Sequence, residues 1–313
     1  MKAPVSMLTA LLMVTVLCTG CASRLFYYPD SRVYGTPADA KLEYEKVTFA
    51  SRDGTRLNGW FVPAVDKPLG TVIHFHGNAQ NMTAHFSFVN WIPREGFNLF
   101  VFDYRGYGQS EGNPTRRGVY EDAVAAIEYA RSRKDVDPDR LLILGQSLGG
   151  ANAIAALGYN RFDGVRAVAI ESSFYSYRQI VRETIAHIPV VSLLRWPLSF
   201  LVVGNGYSPG KVIDRLAPVP LLLIHGTSDR VIPLHHGEQL FKKADEPKQF
   251  WVIENGRHTE AFTTYGRQYR QSLVKFYMGA LRREYHQQEA AHILDPQERR
   301  MRSRSMRLSG RRL

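Results

Sequence analysis

Six short runs of the chain are apolar with little interruption: 70–75, 97–103, 141–145, 165–170, 219–224 and 249–253. Between most of them lie segments whose apolar residues recur at helical spacing, 82–94, 115–133, 148–159, 234–243 and 266–284. A strand with no polar face has to be covered on both sides, which is the condition of a parallel strand between two layers of helices. Strands that alternate with helices through right-handed crossovers predict an α/β protein with a doubly wound, mostly parallel sheet. Two earlier segments, 44–50 and 56–62, alternate apolar and polar residues instead, and Asp53-Gly54 between them signals a hairpin. In the last helix Tyr265, Tyr269, Leu273, Phe276, Tyr277 and Ala280 repeat at helical spacing, which reads as core contact.

One connection breaks this rhythm. Residues 171–218 separate two strands by 48 positions (218 − 171 + 1), longer than a simple helical crossover. Within it, residues 188–203 carry Leu, Val, Phe and Trp with a single charge, Arg195. Such a stretch suits a short helical cap with a greasy acyl pocket, or a lid facing a membrane. A buried structural helix pair is the alternative.

The segment with the most chemistry is Leu141 to Leu157. An apolar run leads into Gly145-Gln146-Ser147-Leu148-Gly149, and an Ala-rich helix follows at once. This is G-x-S-x-G between a strand and a helix, the setting in which a serine projects from a sharp turn as a nucleophile. The helix behind it aims free backbone N–H groups at a developing oxyanion. Gly108-Gln109-Ser110-Glu111-Gly112 matches the same pattern, but it sits in a Gly/Pro-rich loop with no apolar helix directly after it. Context therefore favours Ser147.

A serine needs a histidine base, and the histidine needs an acid to fix its tautomer. After Ser147, the run 220–224 leads into a loop carrying Asp229, and the run 249–253 leads into a loop carrying His258. Both lie beyond the carboxyl ends of strands, where open α/β sheets place their sites. The order Ser, Asp, His is that of α/β hydrolases. Glu171 is the fallback acid. His225 reads as structural, His235 and His236 as solvated, and His187 as part of the cap. Asp103 precedes the serine and breaks the order. For the oxyanion, Leu148 offers one backbone N–H, and Asn78, just after the strand ending in His76-Gly77, offers the second. The residues ask for no cofactor, and no metal-binding pattern such as H-E-x-x-H is present.

His76-Gly-Asn-Ala-Gln-Asn81, Asp103-Tyr-Arg-Gly-Tyr-Gly-Gln-Ser110, Gly145-Gln-Ser-Leu-Gly149 and His225-Gly-Thr-Ser-Asp-Arg-Val-Ile-Pro233 together resemble the α/β-hydrolase superfamily over roughly residues 42–283. They are similar to bacterial lipoprotein hydrolases, serine aminopeptidase-like hydrolases and eukaryotic α/β-hydrolase-domain depalmitoylases. The resemblance implies an α/β-hydrolase fold and a serine hydrolase for carboxylic esters or thioesters. A peptidase, an acyltransferase and a non-catalytic envelope lipoprotein are the competing readings, because one superfold hosts many chemistries.

The 313 residues, 44% hydrophobic, suffice for one large domain, expected over 41–285 with its cap near 171–218. Lys2 and the apolar stretch from Val5 to Leu17, too short for a transmembrane span, predict a signal peptide over 1–20. Its end, Thr19-Gly20-Cys21, resembles a bacterial lipoprotein signal, although Cys18 stands where such signals usually carry Leu. The resemblance implies that Cys21 is lipidated at the head of a linker, 21–40, in the cell envelope. Ala22 after the cysteine implies the outer membrane, on its periplasmic face. Plain cleavage or an uncleaved anchor is the alternative. Cys18 and Cys21 are the chain's two cysteines, so the folded domain has neither disulfide nor cysteine-bound metal. The net charge is +11, and residues 296–313 hold seven Arg and one Glu, leaving +5 elsewhere (11 − 6). A self-repelling tail over 286–313 should be disordered. In an exported protein it would meet anionic lipid or lipopolysaccharide, or serve only solubility; no nucleic acid is expected. The expected partners are thus an acyl ester substrate and a membrane.

Overall fold

The computed structural model describes residues 27–186, Trp196, Ser199 and 204–282. The predicted alternation of strands and helices forms one eight-stranded sheet. Its strands are β2 (Glu45–Ala50), β3 (Arg56–Val62), β4 (Thr71–Phe75), β6 (Asn98–Phe102), β7 (Leu141–Gln146), β8 (Val165–Glu171), β9 (Leu221–Gly226) and β10 (Lys248–Ile253). A separate short pair joins β1 (Tyr28–Pro29) to β5 (Ala79–Gln80). The helices are α1 (Met82–Val89), α2 (Arg116–Ser132), α3 (Leu148–Tyr159), α4 (Tyr177–Ala186), α5 (Leu234–Lys243) and α6 (266–282).

The large sheet runs in the order β10-β9-β8-β7-β4-β6-β3-β2. Only β3 opposes the others, pairing antiparallel with β2 and with β6. The β2–β3 hairpin turns at Gly54, whose φ of +84° suits a residue without a side chain. In β4, β6 and β7 every residue is buried, as expected of strands covered on both faces. Alternate residues serve two cores. Ile73, Phe75, Ile143, Val168 and Ile170 pack beneath α2 and α3, while Val72, Leu142, Leu144, Ala167 and Ala169 pack on the opposite face. There Leu273 and Tyr277 of α6 are buried, and the Tyr277 hydroxyl donates to the Ile143 carbonyl at 2.9 Å. The apolar stripe of α6 therefore belongs to the core.

The predicted helix over 82–94 is shorter than its pattern. It ends as α1 at Val89 and resumes as a 3-10 turn over Ile92–Glu95, because Pro93 cannot donate within a continuing α-helix. Asn81 starts α1 by accepting the Thr83 N–H, and Thr115 starts α2 by accepting that of Gly118. The long connection after β8 contains α4 and two 3-10 turns, Pro209–Lys211 and Ile213–Leu216. Most of its apolar stretch lies outside the described residues, as do His187, Cys21, the signal segment and the basic tail. Among the described residues no helix is long and apolar enough to cross a membrane.

Candidate active site

The sheet order explains where a site can form. From β4 the chain passes through α1 to β6 on one side, then crosses by α2 to β7 on the other. The loops leaving β4 and β7 diverge at this switch point and leave a crevice at the carboxyl ends of the strands. Ser147 sits there, at the junction of β7 and α3.

Its backbone is strained, with φ 54° and ψ −121°. Two glycines make the turn possible. A Cβ on Gly145 would lie 2.7 Å from the Gly150 Cα, and one on Gly149 would lie 2.0 Å from the Phe75 carbonyl oxygen. Strand and helix approach too closely for any side chain. The Ser147 N–H donates to the Glu171 carbonyl at 2.8 Å, which fixes the turn to β8.

Across the crevice stands the loop after β4. A Cβ on Gly77 would be 3.6 Å from the Ser147 Cβ, so the next residue, Asn78, is close to the serine. Asn78 is held by both its oxygens. Its carbonyl accepts the Tyr107 hydroxyl at 2.8 Å, and its side-chain oxygen accepts the same hydroxyl at 3.1 Å and the Tyr28 N–H at 3.3 Å. Its own amide N–H has no partner among the described residues outside the sheet ladders. Leu148 opens α3, where the first N–H groups lack a carbonyl one turn back.

Asp229 and His258 come together. His258 Nδ1 lies 2.8 Å from Asp229 Oδ2. Asp229 Oδ1 accepts the Val231 and Ile232 N–H groups, both at 2.9 Å. Burial pushes this carboxyl up, but the His258 hydrogen bond and charge and the Ile232 N–H outweigh it, holding it below the ordinary carboxylate range. Glu171, the fallback acid, is engaged elsewhere. Its two oxygens accept the Ala261 N–H at 2.8 Å and the Gln146 side-chain N–H at 2.6 Å. Burial raises its pKa.

Ser110 has a structural role. Its hydroxyl donates to the Asp103 carbonyl at 2.8 Å and accepts the Asn58 N–H at 2.9 Å. The same loop is pinned by Arg105, which binds Asp122 and Asp53, each at 2.7 Å. His225 is buried, and its Nε2 lies 2.7 Å from the Ile232 carbonyl. It supports the Asp229 loop.

The expectation for His236 needs correction. It is wholly buried rather than solvated, because the helix α5 turns it toward the segment after β8. His235 and His236 place their Nε2 atoms 3.0 Å from the two oxygens of Glu183 on α4. These three residues are the group among the described residues whose ligand atoms are near enough to hold a metal. The hydrogen bonds argue for a clamp instead. His236 Nδ1 accepts the Tyr175 N–H at 3.2 Å, so its proton resides on Nε2 and points at Glu183. A metal on Nε2 would force the proton onto Nδ1, against another donor.

One network was invisible in the sequence. His74 Nε2 lies 2.9 Å from Gln146 Oε1, and the Gln146 amide donates onward to Glu171. This chain crosses β4, β7 and β8 directly beneath the serine. Its members are 25 to 72 positions apart in sequence, and only the sheet register aligns them. Burial lowers the His74 pKa from its ordinary 6.5 to about 3, so His74 is neutral and a donor. The unfolded chain takes up this proton as pH falls through 6.5, and the folded protein does so only near 3. Stability that His74 leaves intact above pH 6.5 is therefore lost as pH drops toward 3. In His74→Gln, which can still donate to Gln146, stability is expected to fall less between pH 7 and pH 4.5. Urea unfolding at the two pH values measures it, and an unchanged difference would refute the assignment.

The fold, with a G-x-S-x-G turn at its switch point, is that of a hydrolase of the α/β-hydrolase superfamily, and the family matches agree. Within that class, the chain belongs to the prolyl oligopeptidase family, whose sequence pattern matches residues 84–284. The acetyl xylan esterase pattern matches a shorter stretch, residues 36–117. Over 290 residues the chain is 42% identical to the protein YfhR of Salmonella typhimurium, covering 87% of this chain and 94% of that one. It is 31% identical over 259 residues to the α/β-hydrolase domain-containing protein WAV2 of Arabidopsis thaliana, covering 77% and 80%. Among solved structures, an esterase of Pyrococcus furiosus matches with a TM-score of 0.66 at 21% identity, covering 82% of this chain and 98% of that one. At that identity the likeness concerns the fold.

Proposed function

We propose that the protein hydrolyses carboxylic esters or thioesters of acyl groups through an acyl-enzyme on Ser147. The observation that carries this reading is the 2.8 Å contact between His258 Nδ1 and Asp229 Oδ2, at the end of the sheet that also bears the strained serine. Ser147 Oγ attacks the acyl carbon while His258 Nε2 takes its proton. The negative oxygen is held by the N–H groups of Asn78 and Leu148. Collapse breaks the bond to the leaving alkoxide or thiolate, which takes the proton from His258. Water then attacks the acyl-enzyme with His258 again as base, releasing the acid and restoring Ser147. Asp229 keeps the imidazole in the tautomer with its proton on Nδ1. In this reading Cys21 carries lipid and the enzyme works at the periplasmic face of the outer membrane.

The prolyl oligopeptidase match favours a second reading, cleavage of amides by the same residues. A peptidase that grips a free amine needs available carboxylates. Glu171 is buried and bonded to Gln146 and Ala261, and Glu183 is held by two histidines. The stretch 188–203 contains no Asp or Glu. Specificity constants for p-nitrophenyl esters from acetyl to octanoyl are expected to rise and then plateau, since each buried methylene is worth about 0.8 kcal/mol, about fourfold per carbon. A flat series together with efficient cleavage of aminoacyl amides would favour the peptidase.

A further inference from the structure

We infer that the active-site entrance faces the membrane, and that the substrate is an acyl ester of a bilayer lipid. The inference rests on the lipidated Cys21 and the hydrolase reading above, and adds an orientation that neither contains. The segment just after the tether does not approach the domain from a neutral side. Tyr28–Pro29 pairs in parallel with Ala79–Gln80, the strand directly after Asn78. The Tyr28 N–H donates to the Asn78 side chain. The Asp30 carbonyl accepts the Gly108 N–H at 2.9 Å, and the Asn81 side chain donates to the Asp30 and Arg32 carbonyls at 3.1 and 2.8 Å. The Tyr34 N–H donates to the Thr83 hydroxyl at 3.0 Å. Residues 27–34 thus form a strap across the loops after β4 and β6, at the end of the sheet that carries Ser147.

Tyr27 is buried beside Tyr177, the first residue of α4, so the strap also adjoins the segment after β8. The outer surface of the strap is aromatic with a polar admixture: Ser31 and Arg32 are exposed, the Arg32 guanidinium lies 5.2 Å from the Tyr34 ring, and the Tyr34 hydroxyl donates to Asp30. Tyr28 is 56% exposed, Val33 58% and Tyr34 39%. On the neighbouring segment Trp196 is 56% exposed, with the Arg182 guanidinium 4.2 Å above its ring. Aromatic side chains backed by Arg are what the boundary between headgroups and acyl chains prefers.

Chain length restricts the orientation. Six peptide units (27 − 21) separate Cys21 from Tyr27. Fully extended they reach about 22 Å. A globular domain of this size is about 45 Å across. A lipid on Cys21 therefore holds the strap end at the bilayer and cannot reach the end where the strands begin. Acyl chains leaving the bilayer would meet the oxyanion loop first.

The test anchors the mature chain, residues 21–313, at two places. Cys21 is its only cysteine and can be coupled to maleimide-headgroup lipid in phosphatidylethanolamine/phosphatidylglycerol vesicles. The comparison form carries Cys21→Ser with Val65→Cys. Val65 is 62% exposed and lies between β3 and β4, at the opposite end of the sheet. With a fluorogenic acyl ester lipid in the same vesicles, anchoring at Cys21 is expected to hydrolyse at least about tenfold faster, because a short tether fixes which face can engage. Soluble p-nitrophenyl butyrate should be cleaved equally by both. Hydrogen exchange supplies a readout independent of activity: amides 31–35 should be slowed when the anchor is Cys21 and not in the Val65→Cys form. Equal vesicle rates with unprotected amides 31–35 would overturn the inference. If neither form cleaves the soluble ester, the hydrolase reading fails, and the exchange pattern still decides the orientation.

Discussion

Ser147→Ala is expected to abolish hydrolysis of p-nitrophenyl butyrate while the protein stays folded. The side chain stands at the tip of a turn whose tight contacts are made by Gly145 and Gly149, not by its hydroxyl. No folding cost should follow, since serine and alanine both carry a Cβ and bear the same strain at φ 54°. The catalytic cost is a loss of about 10⁶ in turnover when a nucleophile of this kind is removed. Ser110→Ala should do the reverse. It loses two buried hydrogen bonds, so stability should fall by about 1–3 kcal/mol, yet about a tenth or more of the activity should remain. Steady-state rates with thermal unfolding of each variant measure both effects. If Ser110→Ala is inactive though folded, and Ser147→Ala is active, the nucleophile has been misassigned.

Asp229→Asn should lower turnover by about 10³–10⁴. The environment dictates which way an asparagine would turn. Oδ1 accepts two backbone N–H groups, from Val231 and Ile232, so the amide oxygen must occupy that position. The amide NH₂ then faces His258 Nδ1, where Asp229 Oδ2 stood at 2.8 Å. A donor there makes Nδ1 the acceptor and moves the ring proton to Nε2. His258 could no longer take the proton of Ser147. Glu171→Gln offers the contrast. Glu171 contacts the Ala261 N–H and Gln146, not the imidazole, so its loss should disturb the loop that carries His258 without inverting the tautomer. A mild Asp229→Asn beside a severe Glu171→Gln, in turnover at pH 7–8, would move the acid to Glu171.

Much of this was legible in one dimension. Apolar runs marked the strands because a strand between two helical layers has no polar face. The serine turn was readable because strand, turn and helix are contiguous, and the glycines it requires are neighbours in sequence. Asp229 and His258 could be proposed because each follows directly after a strand. The pattern over 234–243 bounds the helix Leu234–Lys243 but does not reveal its inner face: His236 is buried and not solvated, since which histidine faces α4 depends on how two distant segments pack.

Chain-local signals thus determined the layers of the fold, the elbow and the candidate residues. Tertiary structure decided which partners those residues have. It separated Ser147 from Ser110 by giving the latter's hydroxyl two structural bonds. It directed Glu171 to Gln146 and brought Asp229 to His258. It laid the strap of residues 27–34 across the loop that carries Asn78, 50 positions away in sequence. Hydrogen bonds between strands and loops far apart along the chain follow from sheet order and register, and no local pattern encodes either.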